Sequence, residues 1–135
     1  MELVDGADLS TLARTLGPLP PADACELIRQ AALAIQHAHD RNLIHRDVKP
    51  SNLMLTTAPD GSSLVKVLDF GLAQLAQNEN TGGELTLSGE LLGTVDYIAP
   101  EQIENPRTVD ARADVYGLGA TLYRLLSGQA PIFGR

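Results

Sequence analysis

"HRDVKPSN", residues 45–52, gathers an imidazole, a guanidinium, a carboxylate, an ammonium and a carboxamide into eight positions. Pro50 blocks a regular helix through the stretch, because it lacks an N–H and disfavours the helical conformation of the residue before it. Apolar runs stand on both sides. A segment this polar, set between stretches that supply a core, is a loop whose side chains face a common point. Its residue types decide how the rest of the chain is read.

Outward from the loop, "LMLTTAPDGSSLVKVLDF" (53–70) holds two β-rich runs around Pro59-Asp60-Gly61, which predicts a hairpin. On the other side, Pro20-Pro21 opens a predicted helix to about Arg41. Cys25, Ile28, Ala32, Ile35 and His39 recur in it every three or four residues as one buried stripe. Before it, Asp8 is placed to cap a short helix from Leu9 to Leu16, ended by Gly17-Pro18. "MELV" (1–4) reads as extended. Gly71 to Gly93 is rich in Gly, Asn, Thr and Ser and reads as a loop. "DVYGLGATLYRLL" (114–126) is apolar almost all round, which predicts a buried helix, stopped by Gly128.

Composition narrows the function classes. The chain has 135 residues, the length of one small domain or part of a larger one. Hydrophobic residues make up 44% and aromatic residues 4%, so the core must be aliphatic. The net charge of −7 and the lack of a Lys/Arg run argue against a nucleic-acid surface. The single Cys25 excludes an internal disulfide, reads as a buried small hydrophobe, and fits a reducing, cytoplasmic compartment. No apolar run reaches the length of a membrane span, and "MELVDGADLS" lacks a basic signal-peptide start. An anchor outside this chain is compatible with that reading.

Asp47 and Asn52 lie five apart, and Asp69-Phe70-Gly71 ends the predicted hairpin. Two carboxylates, an amide oxygen and an ammonium then converge. Hard oxygen ligands with few carboxylates suit Mg²⁺ that keeps water and phosphate in its shell. Lys49 supplies a cation for a transferring phosphoryl group, and Asp47 a base or orienter for an acceptor hydroxyl. His37, His39 and His45 do not read as a metal cluster, because two residues apart on a helix face different sides.

"HRDVKPSN", "DFG" (69–71), "GTVDYIAPE" (93–101) and "DVYGLG" (114–119) follow the order and spacing of eukaryotic-type (Hanks-type) bacterial serine/threonine protein kinases, which this chain resembles over nearly its whole length. The resemblance implies an α+β, mainly α fold: residues 1–135 as a partial kinase domain, a large-lobe portion with a small catalytic β-hairpin. It implies transfer of the γ-phosphoryl of ATP, with Mg²⁺, to Ser/Thr hydroxyls of protein substrates. Lys49, two residues after Asp47, separates this group from tyrosine kinases. In the family's terms Asp47 accepts the substrate proton and Lys49 meets the γ-phosphate. Asn52 and Asp69 hold the metal. Backbone groups of Glu2 and Val4 meet the adenine edge, Asp8 the ribose, and Leu9 and Met54 form the floor under the adenine. Thr94 contacts Asp47 and Lys49. Asp114 ties down the catalytic-loop backbone, and His45 packs beside Phe70. Arg46 resembles the receiver of a phosphorylated loop, for which Thr81, Thr86 and Ser88 are the candidates.

The sequence departs from the family pattern as well. No G-x-G-x-x-G occurs in the 135 residues, and "GLGATL" fails at its last position inside an apolar helix. The strand Lys paired with a helix Glu is not found either. Glu101 pairs in the family with an Arg of a later helix that these residues lack; buried and unpaired, it would cost about 3–5 kcal/mol. The expectation is a piece of a kinase, from hinge to buried helix, that is inactive by itself. The alternative is a non-catalytic remnant or pseudokinase-like binding module. A small-molecule phosphotransferase is disfavoured by the intact "GTVDYIAPE" segment.

Overall fold

The computed structural model describes residues 5–70 and 95–131. The first described element is a two-residue strand, β1 (Ala7–Asp8), which turns at once into α1 (Leu9–Leu16). Asp8 makes that turn: its Oδ1 accepts from the Thr11 N–H at 2.8 Å, satisfying one of the amides left open at a helix start. Gly17, at φ 72°, ends α1 in a conformation that favours glycine. Helix α2 (Pro21–His39) follows. It stops two residues short of the predicted Arg41, where the chain winds into a turn with Asn42 at φ 59° and Leu43 N–H bonded to Ala38 C=O.

The loop 40–49 leads through a 3-10 turn (Pro50–Asn52) into the predicted hairpin, β2 (Leu53–Thr57) and β3 (Ser63–Val67). The strands pair antiparallel from Leu53↔Val67 to Thr57↔Ser63, and β1 adds a third strand on the far side of β2, in the order β1-β2-β3. A short helix α3 (Pro100–Glu104), a 3-10 turn (Pro106–Thr108) and the long α4 (Arg112–Ser127) complete the described elements. Gly128, left-handed at φ 75°, caps α4 as expected.

The main core is aliphatic. Leu9, Ile35, Leu53 and Leu125 are its largest fully buried apolar side chains, and α2 lies between α4 and the hairpin. Ala99, Val109 and Ala113 form a second, smaller cluster.

Two expectations about the helices are corrected. The buried stripe of α2 is Ala24, Leu27, Ala31, Ile35 and Ala38, turned by one residue from the predicted one; Ile28 and Ala32 pack at its margin. Cys25 is exposed. Both stripes have helical spacing, and the small alanines win because they let the helix approach its neighbours closely. Nor is α4 buried all round: Ala113, Asp114, Gly117, Leu118, Ala120, Thr121 and Leu125 face inward, while Val115 is 63% exposed and Tyr123 51%. The described elements cover one side of it. No helix among the described residues is long and apolar enough to cross a membrane.

Candidate active site

The site is held from beneath by one carboxylate. Asp114, in the first turn of α4, is fully buried. Its Oδ2 accepts from the His45 N–H at 2.9 Å and its Oδ1 from the Arg46 N–H at 2.8 Å. His39, in the last turn of α2, lies with Nε2 at 2.7 Å from the same Oδ2. An ionised carboxylate only accepts, so Nε2 is the donor. Three donors from two segments thus fix the start of the polar loop, as the resemblance implied. Close packing supports this: at Gly117, one turn along α4, an added Cβ would lie 2.6 Å from the Val48 carbonyl oxygen.

His45 is committed on both ring nitrogens. The Asp47 N–H donates to Nδ1 at 3.1 Å, so Nδ1 carries no proton. Nε2 therefore holds it and donates to the Leu68 carbonyl at 2.7 Å. The ring also lies against Phe70, centroids 4.7 Å apart and tilted by 52°. His45, fully buried, is thus the structural link between the loop and the segment after β3, as expected.

Asp47 emerges half-buried from this frame. Asn52 donates through Nδ2 to both the Asp47 carbonyl (2.8 Å) and Asp47 Oδ2 (3.1 Å). Both partners accept only, so the carboxamide orientation is fixed and its Oδ1 is left out of these bonds. Lys49 Nζ stands 3.5 Å from Asp47 Oδ2. The strand register does the rest. Leu68 N–H bonds to the Asn52 carbonyl, one step beyond the Leu53↔Val67 pair, so Asn52 and the exposed Asp69 lie at the same end of the hairpin. Asp69, at φ 53°, and Arg46, at φ 69°, are both left-handed, a conformation costing a non-glycine residue about 1–2 kcal/mol.

For the nucleotide side, Asp8 and Met54 are partners on one rung of the β1–β2 ladder, so two residues expected to face one ligand are neighbours. Asp8 also has a structural task, since both its oxygens accept from Thr11. Leu9 is corrected: fully buried in the main core, it presents no surface to a ligand. Glu2, Val4, Gly71, Thr81, Thr86, Ser88 and Thr94 lie outside the described residues. Glu101 is half-buried; its charge acts on the Arg112 guanidinium, and burial together with that charge raises the Tyr116 hydroxyl above the usual tyrosine range. Sequence reasoning overlooked Gln102. Its position three residues after Ala99, just behind a Pro that opens a helix, was the available signal.

A carboxylate beside an ammonium and a carboxamide, with a second carboxylate at the same end of the hairpin, are the residue types that phosphoryl transfer to a hydroxyl uses. The donor set fits a hard divalent cation such as Mg²⁺: oxygen ligands, few carboxylates, no thiolate or imidazole. The comparisons agree with this class. The chain belongs to the protein kinase domain family, whose pattern matches residues 1–135. It is 42% identical over 134 residues to serine/threonine-protein kinase PknB of Mycolicibacterium smegmatis, and 43% identical over 131 residues to serine/threonine-protein kinase Pkn1 of Myxococcus xanthus. These alignments take in 99% and 97% of this chain but 20% and 18% of the relatives, so the chain spans about a fifth of their length. Among solved structures, Rad53 1-466 in complex with AMP-PNP superposes with a TM-score of 0.71 at 30% identity, over 99% of this chain and 30% of that one.

Proposed function

We propose that this chain supplies the catalytic loop and metal-binding end of a serine/threonine protein kinase, which transfers the γ-phosphoryl of ATP to protein hydroxyls. The observation that supports this best is the cluster at Asp47: Lys49 Nζ at 3.5 Å and Asn52 Nδ2 at 3.1 Å from one carboxylate oxygen, above a backbone clamped by buried Asp114. In this reading Asp47 orients the acceptor hydroxyl and takes its proton, and Lys49 offsets charge on the transferring group. Asn52 Oδ1 and the Asp69 carboxylate hold Mg²⁺, which neutralises phosphate charge when bound. Met54 and Asp8, on one rung, serve the adenosine, with backbone groups of Glu2 and Val4 at the adenine edge. The Rad53 neighbour is described with AMP-PNP, an ATP analogue, which fits a nucleotide site here.

Positioning is most of the catalysis in phosphoryl transfer, and these 135 residues carry no Gly-rich phosphate loop. The chain alone is therefore expected to transfer little or no phosphate. The test is a chimera in which it replaces the matched segment of the Mycolicibacterium smegmatis kinase. Mg-ATP-dependent phosphorylation of protein Ser/Thr is expected, lost in Asp47→Asn and in Asp69→Asn with the fold intact. Wild-type turnover in both variants at saturating Mg-ATP would refute the assignment.

A further inference from the structure

Arg46 is the residue whose backbone aims Asp47, and both of its backbone polar groups are held by side chains. Asp114 of α4 takes the N–H. The carbonyl is taken from the opposite direction: Gln102 of α3 donates to it through Nε2 at 2.8 Å, across 56 positions of sequence. The other end of the same carboxamide, Oε1, accepts from the Ala99 N–H at 3.1 Å. Ala99 is fully buried in the smaller core. One side chain thus bolts the loop that carries Asp47 to the start of α3, at the end of the "GTVDYIAPE" segment.

Helix capping alone does not account for this residue. Gln102 occupies the third position of α3, where a Gln or Glu side chain reaches back to the open N–H before the helix. That needs only an acceptor, and a Glu would accept equally well and suit the positive helix end. The reciprocal half of such a box is missing, since Ala99 has no side-chain acceptor. What Glu lacks is a donor, and a donor is what the Arg46 carbonyl requires. The bond also falls on a residue at φ 69°, a conformation that persists where its surroundings over-determine it.

We propose that Gln102 is a positioning residue: its carboxamide holds Arg46 left-handed, sets the direction of Asp47, and couples that direction to α3. The catalytic part of this rests on the kinase reading above; the clamp itself does not.

Two variants separate the roles. Gln102→Glu keeps the acceptor for Ala99 and loses the donor for Arg46, whereas Gln102→Met loses both. Amide hydrogen exchange of the full chain reads the clamp without any activity. In Gln102→Glu at neutral pH, exchange at Arg46 and Asp47 should quicken about tenfold, the worth of one hydrogen bond, while Ala99 and the interior of α4 hold their protection. In Gln102→Met, Ala99 should quicken as well. Unchanged exchange at Arg46 and Asp47 in Gln102→Glu would reduce Gln102 to a cap. In the chimera, Gln102→Glu should lower kcat about tenfold with KM for ATP within twofold. A kcat within twofold of the parent would overturn the positioning role. An unmutated chimera that folds yet transfers no phosphate would overturn the kinase reading, and the catalytic part with it, while the exchange data still decide the clamp.

Discussion

Removing the Asp114 carboxylate is the most direct challenge to the frame under the site. The side chain is fully buried and receives the His45 N–H, the Arg46 N–H and His39 Nε2. In Asp114→Asn the shape is kept, and the better orientation puts the amide oxygen where Oδ2 stood, serving His45 and His39. The NH₂ group then faces the Arg46 N–H, donor against donor. One orphaned buried donor costs about 1–3 kcal/mol. Relaxation of Arg46 from φ 69° returns part of this, up to about 1–2 kcal/mol, so the net loss is at most about 3 kcal/mol. Asp114→Ala orphans three donors and leaves a cavity, at about 3–5 kcal/mol, as when one partner of a buried charged group is removed. With slopes of about 1–3 kcal/mol per molar urea, the Ala variant should unfold at least about 1 M earlier than the parent. Urea titration of the purified chain by far-UV circular dichroism measures this. An Ala midpoint within about 0.3 M of the parent, or an Asn variant as damaged as the Ala one, would refute the three-donor account.

Two further outcomes are expected. Long-range ¹⁵N NMR of His45 should show Nδ1 bare and Nε2 protonated, because Asp47 N–H and the Leu68 carbonyl demand it; the opposite tautomer would break the proposed link. Glu26 on the surface of α2 receives Arg29 Nε and Nη2, each at 2.7 Å, and these hydrogen bonds hold its carboxyl down at about 2. A lowered folded value means that the pair's contribution is present above the ordinary Glu range and is lost as pH falls through the folded value. A carboxyl ¹³C titration with its midpoint at or above 4.5 would show that the pair does not form in solution.

Sequence by itself determined what depends on local chemistry. The Pro-Asp-Gly turn and two β-rich runs gave the hairpin, and with it the shared end at which Asn52 and Asp69 sit. Asp8 as a cap and Gly17 and Gly128 as stops were legible from residue types, and the contact of His45 with Phe70 was implied by the resemblance to the kinase family. Tertiary structure decided whatever depends on which of two equal faces turns inward. On α2, residues 24, 27, 31, 35 and 38 repeat with the same period as 25, 28, 32, 35 and 39, and periodicity cannot rank them; the closeness of the neighbours selected the alanine stripe and left Cys25 outside. Leu9 looked like a ligand floor until packing placed it in the core. The two-residue β1 was too short to announce itself before it had β2 to pair with. Gln102 became visible as a clamp once α3 was folded against the loop, because a hydrogen bond spanning 56 positions leaves no periodic trace in the chain.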